Sequence, residues 1–183
     1  DRLEGDRIGI IVFAGDAFVQ LPVTTDYAAA KLFLLHIDTD IVPTQGTAVG
    51  KAIELSVESF GKDEGKNKAI VVITDGENHE DDALKAAQYA VENNITVHTI
   101  GIGSPNGTPI PVSRNNIQVG FKKDKEGNTG MTKLNEEMLQ ELSAAGNGIS
   151  GRASNSEVGL NNILSEIQKL QKKQFESKMF TDY

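Results

Sequence analysis

Ala69-Ile70-Val71-Val72-Ile73-Thr74-Asp75-Gly76 is the stretch on which the fold turns. Its first five residues are apolar and four of them are β-branched, the composition and length of a buried strand. Thr74-Asp75-Gly76 stops the run, and a glycine there lets the chain turn sharply. On the N-terminal side, Thr47 to Phe60 has helical spacing, with Ala48, Ala52, Leu55 and Ser59 along one side, and residues 61–68 form a polar link. On the C-terminal side, Asp81 to Asn93 predicts a helix with Ala83, Leu84, Ala87 and Val91 turned inward, followed by a strand over Ile95 to Ile102.

The alternation continues outward. Ile8 to Phe13 (IGIIVF) reads as a strand buried on both faces, and Ala17 to Leu21 as a half-buried edge strand ended by Pro22. Thr25 or Asp26 caps a helix over Tyr27 to Leu35, with Ala28, Leu32 and Leu35 on one face. Residues 103–133 hold Pro105, Pro109, Pro111 and several glycines, which predicts a long loop carrying a β-hairpin. Asn135 caps a helix over Glu136 to Ala145, Gly146-Asn147-Gly148 stops it, and Ile149 to Ala153 is a short strand. A last helix runs from Ser156 to about Gln174 on the stripe Val158, Leu160, Ile163, Leu164, Ile167 and Leu170. Strands alternating with helices predict the α/β class: a three-layer, doubly wound, mostly parallel sheet, in one domain over residues 1–174 with a tail at 175–183.

Composition narrows the function. The 183 residues are 38% hydrophobic and 24% charged, ordinary for a globular domain. A net charge of −8 opposes nucleic acid and anionic membranes as partners. Cysteine is absent, which removes disulfides, thiolate catalysis and Cys-based zinc sites. No long uncharged apolar run is present that would span a bilayer. The chain opens on Asp1-Arg2 without an initiator Met and reads as a piece of a longer protein.

Ligands of such sheets bind beyond the carboxyl ends of the strands, so the residues there are the candidates. Asp75 follows the AIVVI strand directly. It can hold a hard cation in the crevice above the sheet, or serve only as a turn or cap residue. Thr47 stands at a helix start after Gly46, where a hydroxyl can ligate a metal or simply cap the helix. The loop lacks the glycines and lysine of a phosphate-binding P-loop.

Taken in order, the DRIGIIVF strand, the Gly46-Thr47-x-x-Gly50 helix start, the VVITDGEN strand end and the NNITVHTIGIGS segment resemble the von Willebrand factor A family from Asp6 to about Gln171. DRIGIIVFAGDAFVQLPVTTDYAAAK, VPTQGTAVGKAI and GTPIPV followed by a Thr-Lys-Leu helix entry resemble its Bat-type aerotolerance branch. The resemblance implies a Rossmann-like fold and a metal-ion-dependent adhesion site with ligands from three loops: an Asp-x-Ser-x-Ser motif, a Thr and an Asp. Thr47 matches the second loop and Asp75 the third. No Asp-x-Ser-x-Ser occurs in these residues, so two of five expected ligands are present. The resemblance therefore implies Mg²⁺ or Mn²⁺ in the intact parent and weak or absent binding by this piece.

It also implies that the strand preceding Asp1 belongs in the middle of the sheet, between IGIIVF and AIVVI. The expectation is that these two strands close on each other, or that another chain fills the gap by strand exchange or oligomerisation. Functionally, the resemblance implies a non-enzymatic protein-binding module of a protein anchored in the bacterial inner membrane. The domain would face the periplasm, with sister Bat proteins as partners engaged through an acidic side chain, and membrane segments would lie outside this chain. Two other readings stand beside it: a metal-dependent hydrolase using Asp75 or Asp38, and an interaction scaffold without a working metal site.

Several patterns compete. Asp38-Thr39-Asp40-Ile41-Val42 matches a phosphatase nucleophile motif, but it trails a helical segment instead of ending a strand. Residues 124–135 begin like a calcium loop with the glycine one position late, and read as a hairpin turn. His36, His79 and His98 lack ligand spacing; His79 is placed to line the rim near Asp75, and His98 to be an interior or edge histidine. Lys169, Lys172, Lys173 and Lys178 read as a solvated helix face.

Overall fold

The computed structural model describes residues 5–38, 41–44, 46–61, 67–77, 82–114, 117–123, 127–153, 161–167 and 169. The tail at 175–183 lies outside them, as do His79, Lys172, Lys173, Lys178 and most of the last helix, of which 161–167 are described as helical.

The chain runs β1 (Ile8–Phe13), β2 (Ala17–Thr24), α1 (Tyr27–Leu35), α2 (Val49–Ser59), β3 (Lys68–Thr74), α3 (Ala83–Glu92), β4 (Ile95–Gly101), β5 (Thr108–Pro109), β6 (Pro111–Arg114), β7 (Ile117–Phe121), β8 (Met131–Thr132), α4 (Glu136–Ala145) and β9 (Asn147–Arg152). The predicted alternation is present, and side-chain caps set three helix starts. Asp26 accepts from Ala29 N–H, Asp82 from Lys85 N–H and Asn135 from Met138 N–H.

β3, β4 and β9 form a parallel sheet in that order. One face is covered by α2, α3 and α4: Val49, Ile53 and Val57, then Ala83, Ala86, Ala87 and Ala90, then Leu142, pack with Ile70 and Val72 of β3 and Ile95 and Val97 of β4. Four alanines on one helix stripe let α3 approach the sheet closely. The other face presents His98 and Ile100, both buried, with Ile163 of the 161–167 helix also buried. Helices, sheet and helix make the three layers expected of the class.

Some expectations are corrected. Among the described residues β1 pairs only with β2, antiparallel, and β3 only with β4. Of the two expected alternatives, closure of β1 on β3 is absent, which leaves filling of the gap by another chain. α2 packs on both. With β2 as its one strand partner among the described residues, β1 is half-buried where burial on both faces was expected. β2 runs on through Pro22 because the pairing skips there: Ile10 faces Leu21 while Ile8 faces Thr24, and a proline without an N–H is tolerated in such a bulge on an edge strand. Tertiary packing also overrules three helix stripes. α1 buries Ala30 and leaves Ala28, Leu32 and Leu35 exposed. α2 buries Ala48 and Ala52 as expected but turns Val49, Ile53 and Val57 inward in place of Leu55 and Ser59, which are partly buried. α3 buries Ala83 and Ala87 as expected but exposes Leu84 and half-buries Val91.

His98 carries a pH prediction. It is 2% exposed, and its Nδ1 accepts the Ile149 N–H at 3.2 Å, so the ring proton sits on Nε2, which has no partner among the described residues. Burial holds its pKa below the usual histidine value, opposed by the charge of Glu166. Charging the ring would aim an Nδ1–H at the Ile149 N–H. A histidine with a lowered folded-state pKa contributes stability that is fully present above the unfolded value, near 6.5, and lost as pH falls below it. Urea midpoints are therefore expected to drop between pH 7.5 and 5.5 in the native chain and to change less in His98→Gln, each read as a slope against pH.

Candidate metal and partner site at the ends of β1 and β3

β3 ends at Thr74, and Asp75 begins the crevice beyond it. Gly76 follows at φ +82°, a left-handed conformation that a side chain disfavours. A Cβ there would also lie 2.5 Å from the carbonyl oxygen of Asn135. The turn brings Glu77 N–H to Asp75 Oδ1 at 3.1 Å, with Gly76 N–H on Thr74 Oγ1 at 3.3 Å. From 57 residues away, the Thr132 hydroxyl donates to Asp75 Oδ2 at 3.1 Å, and Asn135 N–H donates to the Asp75 carbonyl at 2.8 Å. Oδ1 also takes the Thr74 hydroxyl at 3.5 Å, while Oδ2, with Thr132 as its donor, keeps a lone pair for a further electropositive group. Asp75 is half-buried.

Thr47 lies in a segment held against the end of β1. Gly15 N–H donates to Thr44 O at 2.9 Å, and Ala48 N–H to Ala14 O at 2.6 Å. The cap of α2 is Ala48, with no side-chain hydrogen bond, so Thr47 is not the N-cap that its position suggested. Its hydroxyl remains available. α2 starts beside Thr47 and packs on β1 and β3, which sets Thr47 and Asp75 at the two strand ends that flank the same helix. Among the described residues no hydrogen bond or ion pair joins the two, and no group of three or more His, Asp or Glu side chains is placed to hold a metal.

Thr132 is the site residue that sequence reasoning missed as a functional group. The available signal was a hydroxyl in the Thr-Lys-Leu entry to α4, immediately before a helix cap at the ligand-binding end of the sheet. Beside β1, Asp16 pairs with Lys51 at 3.3 Å; the Ala17 N–H and then Lys51 hold its carboxyl below the usual carboxylate range. The competing patterns resolve into structure. Asp38 follows α1, not a strand, and its carbonyl accepts from Ile41 N–H at 3.2 Å. Lys123 and Thr129 bridge across the calcium-like segment as an antiparallel turn. The exposed His36 ring pairs with Leu32 O at 2.7 Å, and Lys169 pairs with Glu166 at 2.6 Å. No helix among the described residues is long and apolar enough to cross a membrane.

Comparison with known proteins places this geometry. The model of the von Willebrand factor type A domain matches residues 2–157. The crystal structure of a conserved hypothetical protein, BatB, from Bacteroides thetaiotaomicron is 49% identical, with a TM-score of 0.88 over 94% of this chain and 82% of that one. An aerotolerance-related membrane protein from Bacteroides fragilis NCTC 9343 is also 49% identical, with a TM-score of 0.84 over 91% of this chain and 81% of that one. An uncharacterised protein of Borreliella burgdorferi is 32% identical over 105 residues, which are 55% of this chain and 30% of that protein; the chain spans less than a third of this curated relative. The chain belongs to the von Willebrand factor type A family, in its Bat-type, aerotolerance-related branch.

Proposed function

We propose that this chain is a non-enzymatic protein-binding module whose contact point is a divalent cation, with Asp75 and Thr47 as the ligands it supplies. The carrying observation is the Asp75 carboxylate at the end of a buried strand, aimed by Glu77 N–H and the Thr132 hydroxyl, with a lone pair of Oδ2 left to ligate. Carboxylate and hydroxyl oxygens suit a hard cation such as Mg²⁺ or Mn²⁺. They fill two positions of about six, so the set is completed by water, by oxygens from outside the described residues and by an acidic side chain of the partner. When bound, the cation supplies the charge that attracts that side chain; Thr132 and Glu77 hold Asp75 in the ligating orientation. Membrane anchoring through segments outside this chain, a periplasmic position and sister Bat proteins as partners complete the reading. It is supported by the similarity to a membrane protein related to aerotolerance.

Isothermal titration with Mn²⁺ tests it, on residues 1–183 and on a chain extended upstream. Binding by the extended chain, abolished by Asp75→Ala and weakened at least about tenfold by Thr47→Ala or Thr132→Val, is the expected result. Binding by neither chain, or binding indifferent to Asp75→Ala, would overturn it.

A further inference from the structure

The excursion between β4 and α4 differs from the rest of the chain in charge and in surface. Residues 103–133 contain five Lys and Arg against two Asp and Glu, a net of +3, in a chain of net −8, which leaves −11 on the remainder. Val119 and Phe121 share one face of β7 and are 61 and 48% exposed, with Lys123 exposed on the same face. Val112, paired with Gly120 and 42% exposed, lies on the opposite face with the exposed Lys122, and Met131 of β8 is 52% exposed. A two-stranded ribbon has too little interior to bury such side chains itself, and apolar residues rimmed by charge mark a contact face.

The ribbon is tied together. Lys122 N–H donates to Ile110 O at 2.8 Å, Ile110 N–H to Gly130 O at 3.0 Å and Gly130 N–H to Lys122 O at 2.7 Å, so three segments close on one another. Its base is fixed to the candidate cation site by the Thr132 hydroxyl on Asp75.

We propose that the 108–132 ribbon is a second contact surface beside Asp75, and that it takes an acidic protein segment carrying apolar residues. This deepens the cation-site reading, on which it rests for the idea that one partner meets both surfaces. Charge decides the occupant. The ribbon attracts the same sign as a cation at Asp75 would, so both surfaces select an acidic chain. An anionic membrane or a second copy of net −8 spreads its negative charge over a broad surface that also faces the remaining −11, whereas a short acidic segment can lie along the ribbon alone.

The test uses fluorescence anisotropy of a labelled peptide of Glu and Asp built around a central Phe-Leu pair, with residues 1–183, in EDTA and in Mg²⁺. Binding that weakens with salt and falls about tenfold in Val119→Ser/Phe121→Ser and in Lys122→Glu/Lys123→Glu is expected. All four positions are exposed, so circular dichroism of the variants should match the native chain. Unchanged affinity in both variant pairs, or equal binding of a peptide with Gln and Asn for Glu and Asp, overturns the proposal. So does ribbon-dependent binding to phosphatidylglycerol vesicles with none to the peptide, which would make it a membrane face. A dimer in light scattering that both pairs dissolve would make it a self-contact and overturns it equally. If Asp75→Ala and EDTA leave affinity intact while the ribbon pairs weaken it, the cation reading falls and the ribbon surface stands. The converse pattern removes the ribbon surface alone.

Discussion

Gly148→Ala is expected to remove more than about 4 kcal/mol of stability, a loss reserved for a few mechanisms and comparable with the whole margin of many domains. Gly148 lies in β9, where the strand passes β4. A Cβ built on it would overlap the carbonyl carbon and oxygen of Val97 and come within 3.1 Å of His98 Nδ1. The obstructing atoms are backbone, so no rotamer change relieves them. β9 could accept the methyl only by moving off β4, at the place where the register already slips between Val97 and Thr99. That movement would break the Val97 N–H bond to Gly146 O, 2.9 Å, and the Ile149 N–H bond to His98. Urea denaturation of the variant and the native chain measures it; a loss below about 1 kcal/mol would show that the strands have room the geometry denies.

Ile53→Ala is expected to cost about 3 kcal/mol, within the 2–5 kcal/mol range for truncating a buried aliphatic side chain. Ile53 is 0% exposed and packs in the cluster with Ile70, Val72 and the alanines of α3. Its position gives the substitution a second effect. α2 packs on β1 and β2 as well as on β3, whereas α4 packs on β4 and β9. Leu142→Ala on α4, equally buried, should give a similar loss of stability without loosening β1. Hydrogen exchange of the Ile10 and Val12 amides separates the two: faster in Ile53→Ala and near native in Leu142→Ala. Equal exchange in both variants would mean that α2 does not hold the two sheets together.

Local chemistry was legible and distant packing was not. β1, α1 and α4 begin and end where a β-branched run, Asp26 and Asn135 place them. Pro22 misled because a proline stops a paired strand, and the bulge that admits it depends on the neighbouring strand. The inward face of α2 was misjudged for a similar reason: Leu55 and Ile53 are equally apolar, and only the layer beneath decides between them. The separation of β1 from β3 was legible through the family resemblance, which sets a further strand between them, and not through any local pattern. At the site, Asp75 was found because a strand end announces itself. Thr132 was not, because 57 residues separate it from the carboxylate it orients.

The strand ladders fall into two sets that differ in how much chain each must close. β1 pairs with β2 across a short turn, and β3, β4 and β9 pair within the span from 68 to 152. β4 pairs with β9 across about 50 residues, whereas β1 and β2 are joined by a short turn. Short-range closure of the latter kind is fast, whereas long-range pairing is slow. The early residues can therefore fold as a hairpin with α1 while the later ones are still being synthesised. Parallel pairing of β4 with β9 across that distance is then the slow step.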